Sequence, residues 1–433
     1  MKLPGEFFTL VTDAGEKEGV KVLFQLAQFD QSLKQRFPWI RLPQGADPHL
    51  LVFASPDPAL VASLAPDPEP GAPRDPGSSY WASDWERTLT HVGAVRAGSK
   101  QPADAEPSPY RGYLKGRAAY LVGRSLDEAT PAWLVRGLVS FLSDTWIKDK
   151  EMLAGRMMAQ LKEAGTSPSP AADFFREGRG RDSKFDAQAG LFIHYLLVGE
   201  GGRNARTLDA LFQSYSSREA AAAAAGALGR ITSLYPGFAK HLSSKKFAAL
   251  KLSLASSVTP AAFGVKPLPL ADALLQRAAI YLTLNRPVDT RTVLRQVKLA
   301  DPSLARPHEI EAFLLDAEQR TTESKQAIEA AIERGSQNPH LRYRLAQLQW
   351  GPKMTRAALE PVRALLEFAH QNLPMDFKVA AYLAEVESDL GLAEPALNHA
   401  QKAAANAPSD VYALMALALA QWNARQADPA LAT

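Results

Sequence analysis

The order of apolar and polar residues divides the chain into three stretches with different rhythms. In residues 1–100 strand and helix periods alternate. Phe7–Thr12 is rich in aromatic and β-branched residues and predicts a first strand. From Gly15 to Phe37 the apolar positions Val20, Val22, Leu23, Leu26, Phe29 and Leu33 fall on one face of an amphipathic helix. His49–Ala54 is a short unbroken apolar run of the kind that forms a buried strand. Asp57–Leu64 predicts a short helix, and Tyr80–Val95 alternates as a hairpin or two strands would. Ala65–Ser79, crowded with Pro, Gly and Asp, predicts a surface loop. Together these elements predict an α+β domain, a small sheet plus helices.

Residues 101–250 lose the strand rhythm and read as mostly helical. Tyr110–Arg124 and Ala132–Trp146 are the plainest helices, and Pro131 stands at a helix start, where proline is tolerated. Phe185–Val198 is an apolar helix running into Gly199-Glu200-Gly201-Gly202, a glycine stop. Ala220–Ala225 forms helix by propensity. Gly178–Arg181 reads as a solvated turn in preference to an anion-binding loop. Trp133, Phe141 and Trp146 recur at helical spacing and predict core.

From about residue 255 the chain becomes a succession of helix pairs, which sets the expected boundary between a domain at 1–250 and a second at 255–433. Pro302, Pro339, Pro374 and Pro408 follow one another at intervals of 37, 35 and 34 residues. A period near 34 is that of tetratricopeptide repeats, stacked pairs of antiparallel helices. In Tyr382–Pro408, Leu383 and Ala384 fall on the first helix, Gly391 at the turn, and Ala396 and Ala403 on the second helix. Small residues belong where the helices approach closely. Ala278, Tyr281 and Pro302 mark an earlier unit; Ala327, Ala331 and Pro339 a second; and Leu345, Ala346 and Ala358 a third with a longer second helix. Val411–Ala424 is one more helix, a cap or a truncated unit.

Composition narrows the chemistry. Forty-nine basic residues against 46 acidic ones leave a formal charge of +3, and no basic run stands beside aromatics, so nucleic acid is not an expected partner. No stretch approaches the roughly 20 apolar residues that a membrane span needs. Cysteine is absent, which removes disulfides, thiolate nucleophiles and cysteine-built zinc sites. No G-x-S-x-G elbow or phosphate-binding glycine loop occurs. His194 lies in an apolar helix and reads as a satisfied core histidine, far in sequence from His91; Asp127-Glu128 reads as a turn ahead of Pro131.

Three segments carry a resemblance: FFTLVTDAGEKEGVKVLFQLAQFDQSL near the start, PAWLVRGLVSFLSDTWI at Pro131–Ile147, and FDAQAGLFIHYLLVGEGG at Phe185–Gly202. They resemble bacterial proteins that join a gluzincin-type metallopeptidase-like domain to tetratricopeptide repeats. In that family the second segment usually carries D-E-G-L-A, whose glutamate binds zinc. The family's H-E-x-x-H puts two histidines on one helical face to hold the metal and supplies a glutamate base. Its usual spacing back from Trp133 falls on Gly116-Arg117-Ala118-Ala119-Tyr120, so Gly116 and Tyr120 replace the histidines and Arg117 the base. The third ligand's place is Arg136. The resemblance thus implies a degenerate site with no metal and no cofactor, and no catalytic residue. Two further readings stay open. Arg117 and Arg136 share a pocket for an anionic group, or they pair structurally with Asp127, Glu128 or another acidic side chain.

The expected protein is therefore a non-catalytic interaction or scaffold protein that binds a protein or peptide through its repeats. A subunit of a larger self-assembling structure is the alternative, and a hydrolase with an unrecognised site is weaker. Family members commonly carry export signals and none precedes Phe7 here, so a periplasmic or secreted location holds if a leader was removed before Met1, and a cytoplasmic one otherwise.

Overall fold

A computed structural model describes the chain except residues 1, 5–7, 44–49, 65–77, 84–87, 95–107, 109, 128, 149–150, 158–159, 166, 177–182, 218–220, 245–246, 256–257, 261–262, 409 and 425–433. It contains two units, one ending at Leu268 and the other beginning at Pro269.

The first unit opens with β1 (Lys2–Pro4) and β2 (Phe8–Thr12), then α1 (Glu16–Arg36), β3 (Leu50–Ser55), α2 (Pro58–Ser63), β4 (Ser78–Ser83) and β5 (Thr88–Ala94). The five strands form one sheet in the order β1-β2-β3-β5-β4. β3 lies parallel to β2 and β5, and the two edge strands are antiparallel. α1 follows its predicted stripe: Val22, Leu23, Leu26, Phe29 and Leu33 are all buried. Asp57 caps α2 by accepting from the Ala59 amide at 2.9 Å. The expected first strand is the second, because Lys2–Pro4 pairs along it. Phe7, His49 and the bulk of the Ala65–Ser79 loop lie outside the described residues, while Ser78 and Ser79 belong to β4.

Helices then dominate, but a second sheet interrupts them. α3 (Arg111–Ser125) and α4 (Ala132–Ser143) precede β6 (Trp146–Lys148) and β7 (Glu151–Ala154). The short α5 (Gln160–Glu163) and α6 (Ala171–Phe174) lead to α7 (Ser183–Leu197), α8 (Ala205–Ser217), α9 (Ala221–Ser233), α10 (Tyr235–Ser244) and β8 (Leu250–Ser253). α4 was expected to reach Trp146 and stops at Ser143. Side chains take up its last carbonyls: Gln160 Nε2 donates to Ser140 O at 2.7 Å, and Thr145 Oγ1 to Leu142 O at 2.6 Å. β8 closes the three-stranded β6-β7-β8 sheet. Gln28 on α1 fastens the chain beyond it, donating to Ala255 O and Val258 O at 3.1 Å and accepting from Ala255 N at 3.0 Å. These bonds carry the first unit past the break expected at 250–255.

An aromatic cluster lies within the core of this unit. Trp133, Phe174, Phe185, Phe192, Tyr235 and Phe238 interlock at ring separations of 4.9–6.3 Å. α4 and α7 cross on glycines: a Cβ at Gly137 would stand 2.7 Å from Ala189 O, and one at Gly190 2.6 Å from Ser140 Oγ.

The second unit is helical: α11 (Leu270–Thr283), α12 (Pro287–Ala300), α13 (Arg306–Ala317), α14 (Thr321–Glu333), α15 (Pro339–Gln349), α16 (Arg356–Asn372), α17 (Phe377–Asp389), α18 (Ala393–Asn406) and α19 (Val411–Asn423). Three first helices end alike. Asn285, Gln319 and Gly391 take positive φ, and Arg286 N, Arg320 N and Leu392 N reach back to Tyr281 O, Leu315 O and Glu387 O at 2.8–2.9 Å. This is the bonding of a Schellman stop. α15 lacks it and leads through Gly351-Pro352-Lys353 into the long α16, so the third pair departs from the repeat.

Candidate functional site

α3 and α4 carry the positions where the resemblance places metal ligands. Gly116 and Arg117 are buried on α3, with Tyr120 one turn on, half-buried. Arg117 has no exposed surface and turns to α1, where its Nε donates to Asp30 Oδ1 at 2.9 Å and its Nη2 bonds Asp30 Oδ2. Asp30 is itself 1% exposed. Tyr120 lies between two guanidiniums: Arg117 and Arg124 each stand 5.4 Å from its ring centroid, and Arg124 Nη1 donates to its hydroxyl at 2.9 Å.

Arg136 faces a different helix. Its Nε lies 2.5 Å from Asp186 Oδ1 on α7, and its guanidinium covers the Phe185 ring at 4.9 Å. The two arginines thus answer to different carboxylates, Asp30 and Asp186. Asp127 instead accepts from the Ala129 amide at 2.8 Å in the turn, and Glu128 lies outside the described residues. Among the described residues no three His, Asp or Glu side chains stand close enough to hold a metal ion. Gly178–Arg181 is also outside them.

His194 is joined to His241, 47 residues further along the chain, a pairing that local spacing does not predict. Its Nδ1 lies 2.9 Å from His241 Nε2, and its Nε2 lies 2.9 Å from Ala248 O. A carbonyl only accepts, so His194 Nε2 carries the proton and its Nδ1 accepts from His241. Burial pushes His194 down to about 4 and lowers His241 as well. Such a pair is a neutral core element. His91 sits on β5, opposite Tyr80 and Val52 in the strand register.

In the second unit most predicted packing positions point inward. Ala278, Tyr281, Ala327, Ala331, Leu345, Ala346, Leu383, Ala384, Ala396 and Ala403 are buried, and Pro302, Pro339 and Pro408 sit at helix junctions. Ala358 is exposed, and Leu359 and Val362 fill that interior instead. The long turn before α16 shifts the register by a residue.

The feature that sequence reading missed is a row of aromatic side chains on successive first helices. Tyr382 on α17 meets Tyr343 on α15 at 5.7 Å, Trp350 after α15 at 5.1 Å, and Tyr412 on α19 at 6.0 Å. All four are half-buried. Charged groups border the row. Trp350 Nε1 donates to Asp389 Oδ2 at 3.3 Å, and Arg344 pairs with Asp316 at 2.5 Å. Burial raises the carboxyl of Glu385, and Asp389 adds to the effect against Tyr412. Burial likewise raises the Tyr343 and Tyr412 phenols, so both stay protonated donors. A signal was present: Tyr382 and Tyr412 each stand one residue before a buried packing position, Leu383 and Ala413.

No protein-family model matches the chain, and no curated protein matches it in sequence. Solved structures of tetratricopeptide proteins are similar over its C-terminal part. YrrB, described as a TPR protein with an unusual peptide-binding site, shares 15% identity over 37% of this chain and 81% of its own, with a TM-score of 0.33. MamA shares 12% over 37% of this chain and 86% of its own, with a TM-score of 0.31. PilF of Pseudomonas aeruginosa shares 19% over 37% of this chain and 72% of its own, with a TM-score of 0.30. These overlaps are partial, and the repeat character of the second unit stands on its own helix pairs, turns and buried small residues.

Proposed function

We propose that the protein is a non-catalytic interaction protein whose second unit holds a protein or peptide segment across the Tyr343–Tyr382–Tyr412 row. The row carries the reading. Half-buried tyrosines offer large rigid area with few torsions to freeze, and aromatic residues dominate the energetics of protein interfaces. Protonated phenols and the flanking carboxylates of Glu385 and Asp389 add polar recognition. Stacked helix pairs are suited to present such a row as one surface.

In this reading the first unit is a metallopeptidase-like domain without catalysis. Its support is Arg117. If the family's spacing holds, Arg117 stands for the base, and a guanidinium committed to Asp30 can neither bind a metal ion nor take a proton from water. Stoichiometric zinc in the purified protein would overturn this part and revive a hydrolase.

The test is affinity capture from the source cells with the full chain, comparing wild type with Tyr343→Ala/Tyr382→Ala. Specific partners lost in the folded double variant support the proposal. The same partners on both proteins sink it.

One observation favours a second reading, self-assembly. α19 contains no charged residue, and its Val411, Met415, Leu419 and Trp422 are exposed. A helix apolar all round is normally covered. Light scattering over a concentration series separates the readings: a constant monomer mass eliminates self-assembly.

A further inference from the structure

A cleft of about 460 Å³ opens between α15 and α16 in the irregular third helix pair. Its walls are Leu345 and Gln349 on α15 and Pro361, Leu365 and Phe368 on α16, and Arg342 reaches into it. That volume lies within the range of small-ligand and side-chain sites. Arg342 lies on α15 one turn before the buried Leu345.

The setting of Arg342 is unusual for this unit. Its guanidinium carbon stacks 3.9 Å from the centroid of the Phe368 ring. Its Nη1 is buried and makes no hydrogen bond among the described residues. Neighbouring arginines are provided for: Arg344 holds Asp316 at 2.5 Å, and Arg363 holds Glu367 at 2.8 Å and Glu387 at 3.4 Å. Burial lowers the Arg342 pKa and Glu309 offsets only part of this, the sign of a cation short of a counter-charge. A guanidinium fixed flat on a ring presents its remaining edge for bidentate bonding to a carboxylate.

We propose that this cleft binds a short segment of a partner protein that brings an Asp or Glu side chain to Arg342 and an apolar side chain onto Leu365 and Phe368. Charge complementarity selects this occupant. A basic segment would meet an uncompensated cation, and a purely apolar one would leave Arg342 Nη1 without water or partner, a costly state for a buried donor. The proposal rests on reading the second unit as a binding array and adds to it a subsite apart from the tyrosine row, with its own chemistry.

The experiment uses the full chain and a phage-displayed random dodecapeptide library, whose peptides are fused at the C terminus and so offer carboxylates only from side chains. Peptides selected on wild type are expected to be enriched in an acidic residue beside Leu, Ile or Phe. The strongest is synthesised with an amidated end and titrated against four proteins. Affinity should fall by about tenfold or more with Arg342→Met, the loss of a charge-assisted bond. Ala364→Trp, which fills the cleft from an exposed position, should abolish binding. Tyr382→Ala should change it little. Arg342→Met should keep the wild-type melting temperature, since it removes an uncompensated charge and keeps the stem. No acidic enrichment, or equal affinity for Arg342→Met, overturns the proposal. A melting temperature lowered in Arg342→Met counts against it too, because Arg342 is then a packing residue. Peptides lost with Tyr382→Ala but kept by Arg342→Met and Ala364→Trp leave the tyrosine row standing and sink the cleft.

Discussion

Arg117 shows what a single buried charge decides. Enclosed between α1 and α3, it holds Asp30 through two nitrogens, and neither side chain reaches solvent. Such a pair gains little over apolar packing, but breaking it leaves an orphaned charge. Arg117→Ala and Asp30→Asn are each expected to cost about 3–5 kcal/mol in urea unfolding, and Arg117→Met with Asp30→Leu far less. Equal losses in single and double variants would contradict the pairing. The partner of Arg117 was not legible in the sequence, because Asp30 is 87 residues away and local spacing carries no such pairing. The His194–His241 pair was hidden for the same reason, 47 residues apart. His194 falls to about 4 in the folded chain, against about 6.5 when unfolded, so between these values the unfolded state binds more protons. Its contribution is complete above pH 6.5 and is lost as pH falls toward 4. From pH 7 to pH 5 the stability should fall by about 2 kcal/mol through this group. His194→Gln should flatten that slope; an unchanged slope would show that other groups set it.

At the scale of elements, periodicity did well wherever one rhythm ran long enough. α1, α3, α7 and α19 lie within a few residues of their predicted spans. It failed at β6, β7 and β8, strands of three or four residues, too short to show an alternation. It also placed Ala358 inward, where the turn through Lys353 shifts α16. The glycines at the α4–α7 crossing were read for neither packing nor chemistry, though Gly137 follows Arg136 directly. They set how closely those helices approach. A methyl at Gly137 would meet the Ala189 carbonyl at 2.7 Å, and backbone cannot swing aside as a side chain can. Gly137→Ala should destabilise the chain by about 1–3 kcal/mol, measured by thermal or urea unfolding. A neutral result would mean that α4 and α7 stand farther apart than described.

For the whole molecule, the charge balance and the missing cysteines excluded chemistries without naming a function. The repeat period directed attention to the second unit, where the structure adds the aromatic row. Tyr343, Tyr382 and Tyr412 come from three first helices separated by whole helix pairs, so only the stacked array assembles them. The first unit contributes a closed pair at Arg117 and Asp30. The proposed division is therefore between a framework without chemistry and an array that binds. Site-specific photo-crosslinking tests this most directly. Benzoylphenylalanine is placed at Lys378, exposed one turn before Tyr382 on α17, and in a second protein at Lys402, exposed on α18. In cells, a discrete partner adduct should form from position 378 and be absent from position 402. Adducts of equal yield from both positions, or none from 378, would contradict binding across the tyrosine row.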